Sequence, residues 1–296
     1  MTITLAVLTF LLLIIIAAFI SYKASDKIIY RKTSQTRRQE TIYPSQFNIP
    51  FKDISFKNKD GISLKGWFIP SEKQSQKTIV FMHGWGMDKS GILPRTLFLR
   101  EQGYNLFYFD FRGSGESGEG LSSIGYLETE DAASALDKIR QIYPQETKEM
   151  GLYGLSMGAA VAVYTAAHDD FIKCLVAEGC YYSYKKVVAR WARVHKHAPY
   201  FPLVAMALFF ARKRLGMNPE NFSPRKNIKE LAGKAIFIIN GADDALAPRH
   251  DARKLFRKAS EPKQLWIVPN ASHTEVAEVA GNQYQTRLSE FFTKYL

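Results

Sequence analysis

Six short apolar runs recur along the chain, at Thr78–Met82, Asn105–Phe109, Met150–Tyr153, Ile172–Ala177, Ala235–Ile239 and Gln264–Val268. They are apolar almost throughout rather than at alternate positions, which suits strands buried on both faces. Strands of that kind need helices on both sides of the sheet, and the intervening stretches Ile92–Glu101, Tyr126–Ile142, Met157–Ala167, Arg249–Lys258 and Glu275–Tyr295 carry helical spacing. The alternation predicts an α/β fold, a doubly wound, mostly parallel sheet with right-handed crossovers. Ahead of it, Phe51–Lys57 and Ile62–Ile69 alternate in polarity around Lys59-Asp60-Gly61 and predict a hairpin. From Cys180 to Lys229 the chain carries far more than one crossover helix, and this segment is predicted to be a mainly helical cap over the carboxyl edge of the sheet.

The N-terminus follows a different rule. Ile3 to Ile20 is eighteen residues without a charge, Thr4 and Thr9 being the polar exceptions. A helix of that length spans about 27 Å, close to the hydrocarbon core of a bilayer. The alternative is a cleaved signal peptide, which wants a basic start and a small-x-small cleavage site. Here no Lys or Arg precedes the run, and Ala17-Ala18-Phe19-Ile20-Ser21 is a poor site, so a retained transmembrane helix is expected. The positive charge follows the helix, which places the bulk of the chain on the cytoplasmic side of the cell membrane as a single-pass protein.

The formal net charge of +12 is regional. Residues 21–43 hold six Lys and Arg against two acids, and residues 182–229 hold eleven against Glu220 alone, which leaves the rest of the chain slightly acidic. Such patches suit anionic partners, and beside a membrane anchor anionic lipids are the expected ones. The two cysteines, Cys174 and Cys180, exclude a disulfide framework and a cysteine-based zinc site. No metal-ligand cluster, phosphate-binding loop or dinucleotide fingerprint is apparent; Gly113, Gly115 and Gly118 have the spacing of one but follow the wrong strand.

Gly154-Leu155-Ser156-Met157-Gly158 directly follows a buried strand and opens a helix rich in small residues. In that setting a sharp turn lifts the serine hydroxyl above the sheet, a nucleophile elbow. A serine nucleophile needs a base and a carboxylate to orient the base. Both stand downstream at strand ends: Asp243 and Asp244 just past Ala235–Ile239, and His273 just past Gln264–Val268. Ser156 is thus the expected nucleophile and His273 the base, with the acid at one of the two neighbouring aspartates. The oxyanion donors are expected at the backbone amide of Met157, next to the nucleophile, and at that of Trp85 in His83-Gly84-Trp85-Gly86. His83 itself reads as a structural histidine.

With these pieces in place, the chain resembles the α/β-hydrolases, and within them the serine aminopeptidase-like and monoacylglycerol lipase-like branches that include many small bacterial esterases. The resemblance rests on His83-Gly84, on Asp110-Phe111-Arg112-Gly113-Ser114-Gly115, on Gly154–Gly158, on Gly241–Pro248 and on Ser272-His273, and covers roughly residues 50–296. It implies the α/β-hydrolase fold, selects Asp244 over Asp243 as the acid, and makes the loop of Asp110 and Arg112 architectural. The expected organisation is a transmembrane anchor at 1–22, a basic juxtamembrane linker at 23–49, and a hydrolase domain at 50–296 with the cap inserted at about 180–229.

The expected activity is that of a membrane-anchored serine hydrolase acting on a small-molecule, lipid-like acyl ester through an acyl-enzyme, with no cofactor and no metal. A thioesterase or peptidase on the same residues is the alternative, as is a catalytically silent scaffold bound at the membrane. Aminopeptidase specificity fits less well, because the cap has only Glu220 to meet a substrate ammonium. Aromatic and basic residues interleave in the cap as they do in nucleic-acid binders, but the serine site and the anchor argue against a nucleic-acid partner.

Overall fold

In a computed structural model, which describes residues 2–31 and 42–296, the apolar runs form the centre of an eight-stranded sheet. The basic residues Lys32, Arg37 and Arg38 of the expected linker lie outside the described residues. β1 (Lys52–Lys57) and β2 (Ser63–Ile69) form the hairpin. β3 (Lys77–Met82), β4 (Asn105–Phe109), β5 (Glu149–Leu155), β6 (Ile172–Glu178), β7 (Ala235–Gly241) and β8 (Lys263–Val268) follow. Their spatial order is β8-β7-β6-β5-β3-β4-β2-β1. The pairings of β2 with β1 and β4 are antiparallel and the other five are parallel, the mostly parallel sheet of an α/β-hydrolase fold.

Side chains alternate between two apolar layers, as the period of a strand requires. Val80 and Met82 of β3 point into one layer, and Ile79 and Phe81 into the other. The first layer is covered by α2 (Glu128–Ile142) and α3 (Met157–His168) and includes Leu255 of the later helix Arg249–Lys258. The second is covered by the C-terminal helix Asn282–Tyr295 and by the turns around Leu93–Leu99. Two predicted helices are broken. Ile92–Glu101 is a chain of short turns whose α-helical part, Leu93–Thr96, carries Pro94 in its first turn. Glu275–Tyr295 is split into Val276–Ala280 and Asn282–Tyr295 by Gly281, whose φ of 52° no continuing right-handed helix can accommodate.

Between β6 and β7 the inserted segment contributes α4 (Tyr184–Lys196), a turn at Tyr200–Val204, α5 (Ala205–Leu215) and three short turns. α5 stops at Gly216 in the left-handed conformation, a common helix end.

The N-terminal helix, α1 (Thr2–Ile29), runs seven residues beyond position 22. It is long and apolar enough to cross a membrane, and its apolar stretch is unburied. Its last turns are docked. Ser21 Oγ donates to the Leu203 carbonyl at 3.0 Å, Arg214 donates to Ser25 Oγ at 2.8 Å and pairs with Asp26 at 2.6 Å, and the Tyr22 ring meets Phe210 edge-on. Directly after the helix, Tyr30–Arg31 pairs antiparallel with Gly120–Leu121.

Candidate active site

A single residue, Ser156, separates the end of β5 from the start of α3, and the reversal forces it to φ 55° and ψ −110°, a conformation in which a side chain is strained. The neighbouring backbone holds it there: the Ser156 N–H donates to the Glu178 carbonyl on β6 at 2.8 Å. The flanking glycines are needed for packing. A Cβ on Gly158 would collide with the Met82 carbonyl oxygen at the end of β3, and one on Gly154 would collide with the Gly158 carbonyl oxygen. The Gly-x-Ser-x-Gly pattern is thus what lets α3 start hard against the sheet.

The loops after β7 and β8 bring the other two predicted residues to the serine. His273 Nε2 lies 2.8 Å from Ser156 Oγ, and His273 Nδ1 lies 2.6 Å from Asp244 Oδ2. The other carboxylate oxygen, Asp244 Oδ1, accepts the backbone N–H groups of Leu246 at 2.8 Å and Ala247 at 2.7 Å. The Asp244 side chain has no solvent exposure and the imidazole has 17%. Asp243 is exposed, and its N–H donates to the Ala271 carbonyl, so of the two adjacent aspartates Asp244 is the one in contact with the histidine. With Nδ1–H donating to the carboxylate, Nε2 presents its lone pair to the serine hydroxyl. Chemically, such a relay can take the serine proton and stabilise the resulting imidazolium.

Room for the imidazole comes from Gly179, which sequence reasoning did not single out. Its φ is +59°, and an added Cβ would lie 3.2 Å from His273 Cε1. Glu178 beside it was also missed, although a glutamate ending an apolar strand is a visible signal. Its carboxylate is fully buried, accepts the hydroxyls of Tyr153 at 2.7 Å and Tyr284 at 2.6 Å, and meets Arg95 at 3.2 Å. Burial and the adjacent carboxylate push both phenols well above their ordinary pKa, so they remain donors. The same residue therefore holds the elbow by its backbone and the layer behind it by its side chain.

In front of the serine stands the loop after β3. A Cβ on Gly84 would lie 3.6 Å from Ser156 Cβ, so this backbone runs beside the serine. Trp85 and Met157 line, together with Ser156 and His273, a cavity of about 660 Å³. The Trp85 ring stands edge-on to Trp191 of α4 at 5.7 Å. His83 is fully buried; its Nε2 accepts the Phe111 N–H at 3.1 Å and its Nδ1 donates to the Gly84 carbonyl at 2.8 Å, which fixes the two loops together. Asp110 accepts from the Lys89 N–H, the Lys89 Nζ and the Glu116 N–H at 2.7–2.9 Å, and Arg112 pairs with Asp131 at 2.8–3.0 Å. These groups tie the loops on this side of the sheet.

A family model described as serine aminopeptidase, S33, matches residues 73–221, half of the chain, including the elbow. The chain belongs to this family of α/β-hydrolases. The S33-family chain is 27% identical to the uncharacterized protein YqkD of Bacillus subtilis over 282 residues, 92% of this chain and 88% of that one. It is 24% identical to an uncharacterized membrane protein of Saccharomyces cerevisiae over 258 residues, 86% of this chain and 84% of that one. Among solved structures, the esterase Pf2001 of Pyrococcus furiosus is similar with a TM-score of 0.75 at 25% identity, covering 90% of this chain and 99% of that one.

Proposed function

We propose that this hydrolase is a membrane-anchored serine esterase that cleaves acyl esters through a covalent acyl-enzyme. The observation that carries the reading is the continuous hydrogen-bonded line Ser156–His273–Asp244, at 2.8 and 2.6 Å, opening on a mainly apolar cavity. Ser156 Oγ attacks the ester carbonyl carbon while its proton passes to His273 Nε2. The amides of Trp85 and Met157 hold the oxyanion, and Asp244 stabilises the imidazolium. Collapse of the tetrahedral intermediate breaks the bond to the alcohol, which leaves with the proton from His273. Water, deprotonated by the same imidazole, then releases the acid and restores the serine.

The cavity favours an ester over the aminopeptidase reaction in the family's description. Among the described residues no Asp or Glu lines it, whereas Lys23, Lys27, His195 and Lys196 do. A peptide's terminal ammonium would meet like charge and no counter-ion. The apolar remainder of the lining, which includes Val187, Val188, Trp191, Val204 and Leu246, suits an acyl chain. The inserted segment acts as the cap. It carries Phe201, 78% exposed, and Phe209, 55% exposed, beside the basic residues of α5, a combination suited to an anionic membrane interface. α1 serves as the anchor, with the hydrolase on the cytoplasmic side. The yeast membrane protein among the relatives supports the anchored reading.

The test is hydrolysis of p-nitrophenyl esters by the full-length protein in detergent, beside Ser156→Ala. Loss of at least ~1,000-fold in kcat/KM with an unchanged far-UV spectrum is expected. Equal turnover by both proteins would remove Ser156 from the reaction.

A further inference from the structure

The last turns of α1 do more than connect an anchor to a domain. Ile20, Ser21, Lys23, Ala24, Lys27 and Ile28 line the same cavity as Ser156 and His273. Positions 20, 24, 27 and 28 share one helical face, so a single stripe of α1, about 12 Å long, stands along the cavity. The stripe is held in place by the docking of Ser21, Ser25 and Asp26 against Leu203 and Arg214. Val188, Trp191, Val204 and Ala207 of the inserted segment line the same cavity, so α1 and the inserted segment both contribute to its wall. The stripe begins at Ile20, which with Phe19 still belongs to the bare apolar part of the helix, and ends at the buried Ile28.

Resting on the esterase reading above, we infer that the C-terminal turns of α1 are the substrate-measuring wall of the acyl site. The acyl chain of the substrate lies along the anchor helix, and the side chain at position 24 limits how much chain the cavity accepts. The substrate class is accordingly a single-chain acyl ester supplied from the bilayer. Ala24 is the smallest side chain on the stripe and lies between Ile20 and Ile28, so an indole there would occupy the space beside the chain. Each methylene kept from an apolar site lowers recognition about fourfold, so the exclusion of three predicts a loss of about 60-fold.

The experiment measures kcat/KM for p-nitrophenyl acetate, octanoate and dodecanoate with the full-length protein in detergent micelles. Wild type is compared with Ala24→Trp and with Leu13→Trp on the bare part of the helix. Ala24→Cys, converted after purification to its octyl disulfide by octyl methanethiosulfonate, with methanesulfinate leaving, fills the same place in a protein that has already folded. The native Cys174 and Cys180 are buried, and burial pushes both thiols up, so the introduced thiol reacts selectively. The expected result is a fall of tenfold or more in the dodecanoate-to-acetate ratio for Ala24→Trp and for the octyl-disulfide cysteine, with the wild-type ratio in Leu13→Trp. Ratios that superpose on wild type at position 24, or an equal fall in Leu13→Trp, would overturn the inference. Failure of the wild type to hydrolyse any of the esters would instead overturn the esterase reading beneath it.

Discussion

Replacement of Asp244 by asparagine changes one atom and should disable the site through a proton's position. Asp244 Oδ1 accepts two backbone N–H groups, from Leu246 and Ala247, while Oδ2 faces His273 Nδ1 at 2.6 Å. In the variant the amide oxygen must stay on the two N–H donors, because turning the NH2 toward them would leave buried donors unsatisfied at about 1–3 kcal/mol each. The NH2 then donates to His273 Nδ1, which must accept, and the ring proton moves to Nε2. There it points at Ser156 Oγ, and the histidine can no longer take the serine's proton. Loss of the correct tautomer and of the charge facing the imidazolium costs roughly 10³–10⁴ in kcat, about 4–5.5 kcal/mol of barrier, with the fold intact. Steady-state hydrolysis of a short p-nitrophenyl ester, with melting curves beside it, measures this, and Asp243→Asn is the control. Since Asp243 is exposed and its N–H alone is engaged, that variant should stay within about twofold of wild type. Asp244→Asn keeping a tenth or more of the activity, or Asp243→Asn falling to about a tenth or less, would overturn this reading of the two aspartates.

Three further perturbations probe the surroundings of the site. Gly158→Ala drives a methyl into the Met82 carbonyl oxygen, so the protein should accumulate poorly or melt far below wild type, as seen by solubility and thermal unfolding. Glu178→Ala removes the buried counter-charge of Arg95, leaving it the exposed Glu278, and the acceptor of the Tyr153 and Tyr284 hydroxyls; a destabilisation of about 2–4 kcal/mol is expected in denaturant titrations, and Glu178→Gln should recover part of it. Glu220 is the third. Burial raises its pKa, but bonds from the Lys185 N–H, the Arg225 guanidinium and the Ser183 hydroxyl outweigh this and hold the carboxyl below its ordinary value. A depressed folded-state pKa stabilises the protein fully above the unfolded value, about 4.3, and the contribution is lost as pH falls through the folded value. Glu220→Gln should therefore be less stable than wild type by about 1–2 kcal/mol at pH 7, with the gap closing at acid pH, read from melting temperatures across that range.

The parallel strands were legible because each is apolar on both faces, and the hydrogen-bonded line of Ser156, His273 and Asp244 because each of the three stands past a strand's carboxyl end, where a doubly wound sheet presents its loops. The choice between Asp243 and Asp244 was not a matter of composition. It depends on which carboxylate the turn at Leu246 and Ala247 draws inward, and family resemblance, not the residues alone, pointed to Asp244. The breaks at Pro94 and Gly281 escaped the helical pattern, since apolar spacing continues across both. The docked end of α1 was hidden for a different reason. Ser21 read as the end of the anchor and Lys23, Ser25, Asp26 and Lys27 as basic linker, yet Ser21 and Ser25 are buried against partners nearly two hundred residues away, Leu203 and Arg214, which local periodicity does not register. Gly179 is silent in the same way, because its role is the space it leaves for His273.

The central claim is that Ser156 is an activated nucleophile. Its most direct test is fluorophosphonate labelling of the detergent-solubilised full-length protein beside Ser156→Ala, with the modified peptide located by mass spectrometry. Stoichiometric phosphonylation at Ser156 in wild type and none in the variant is the expected result. A folded wild-type protein that takes up no label, or carries it on another residue, would contradict it.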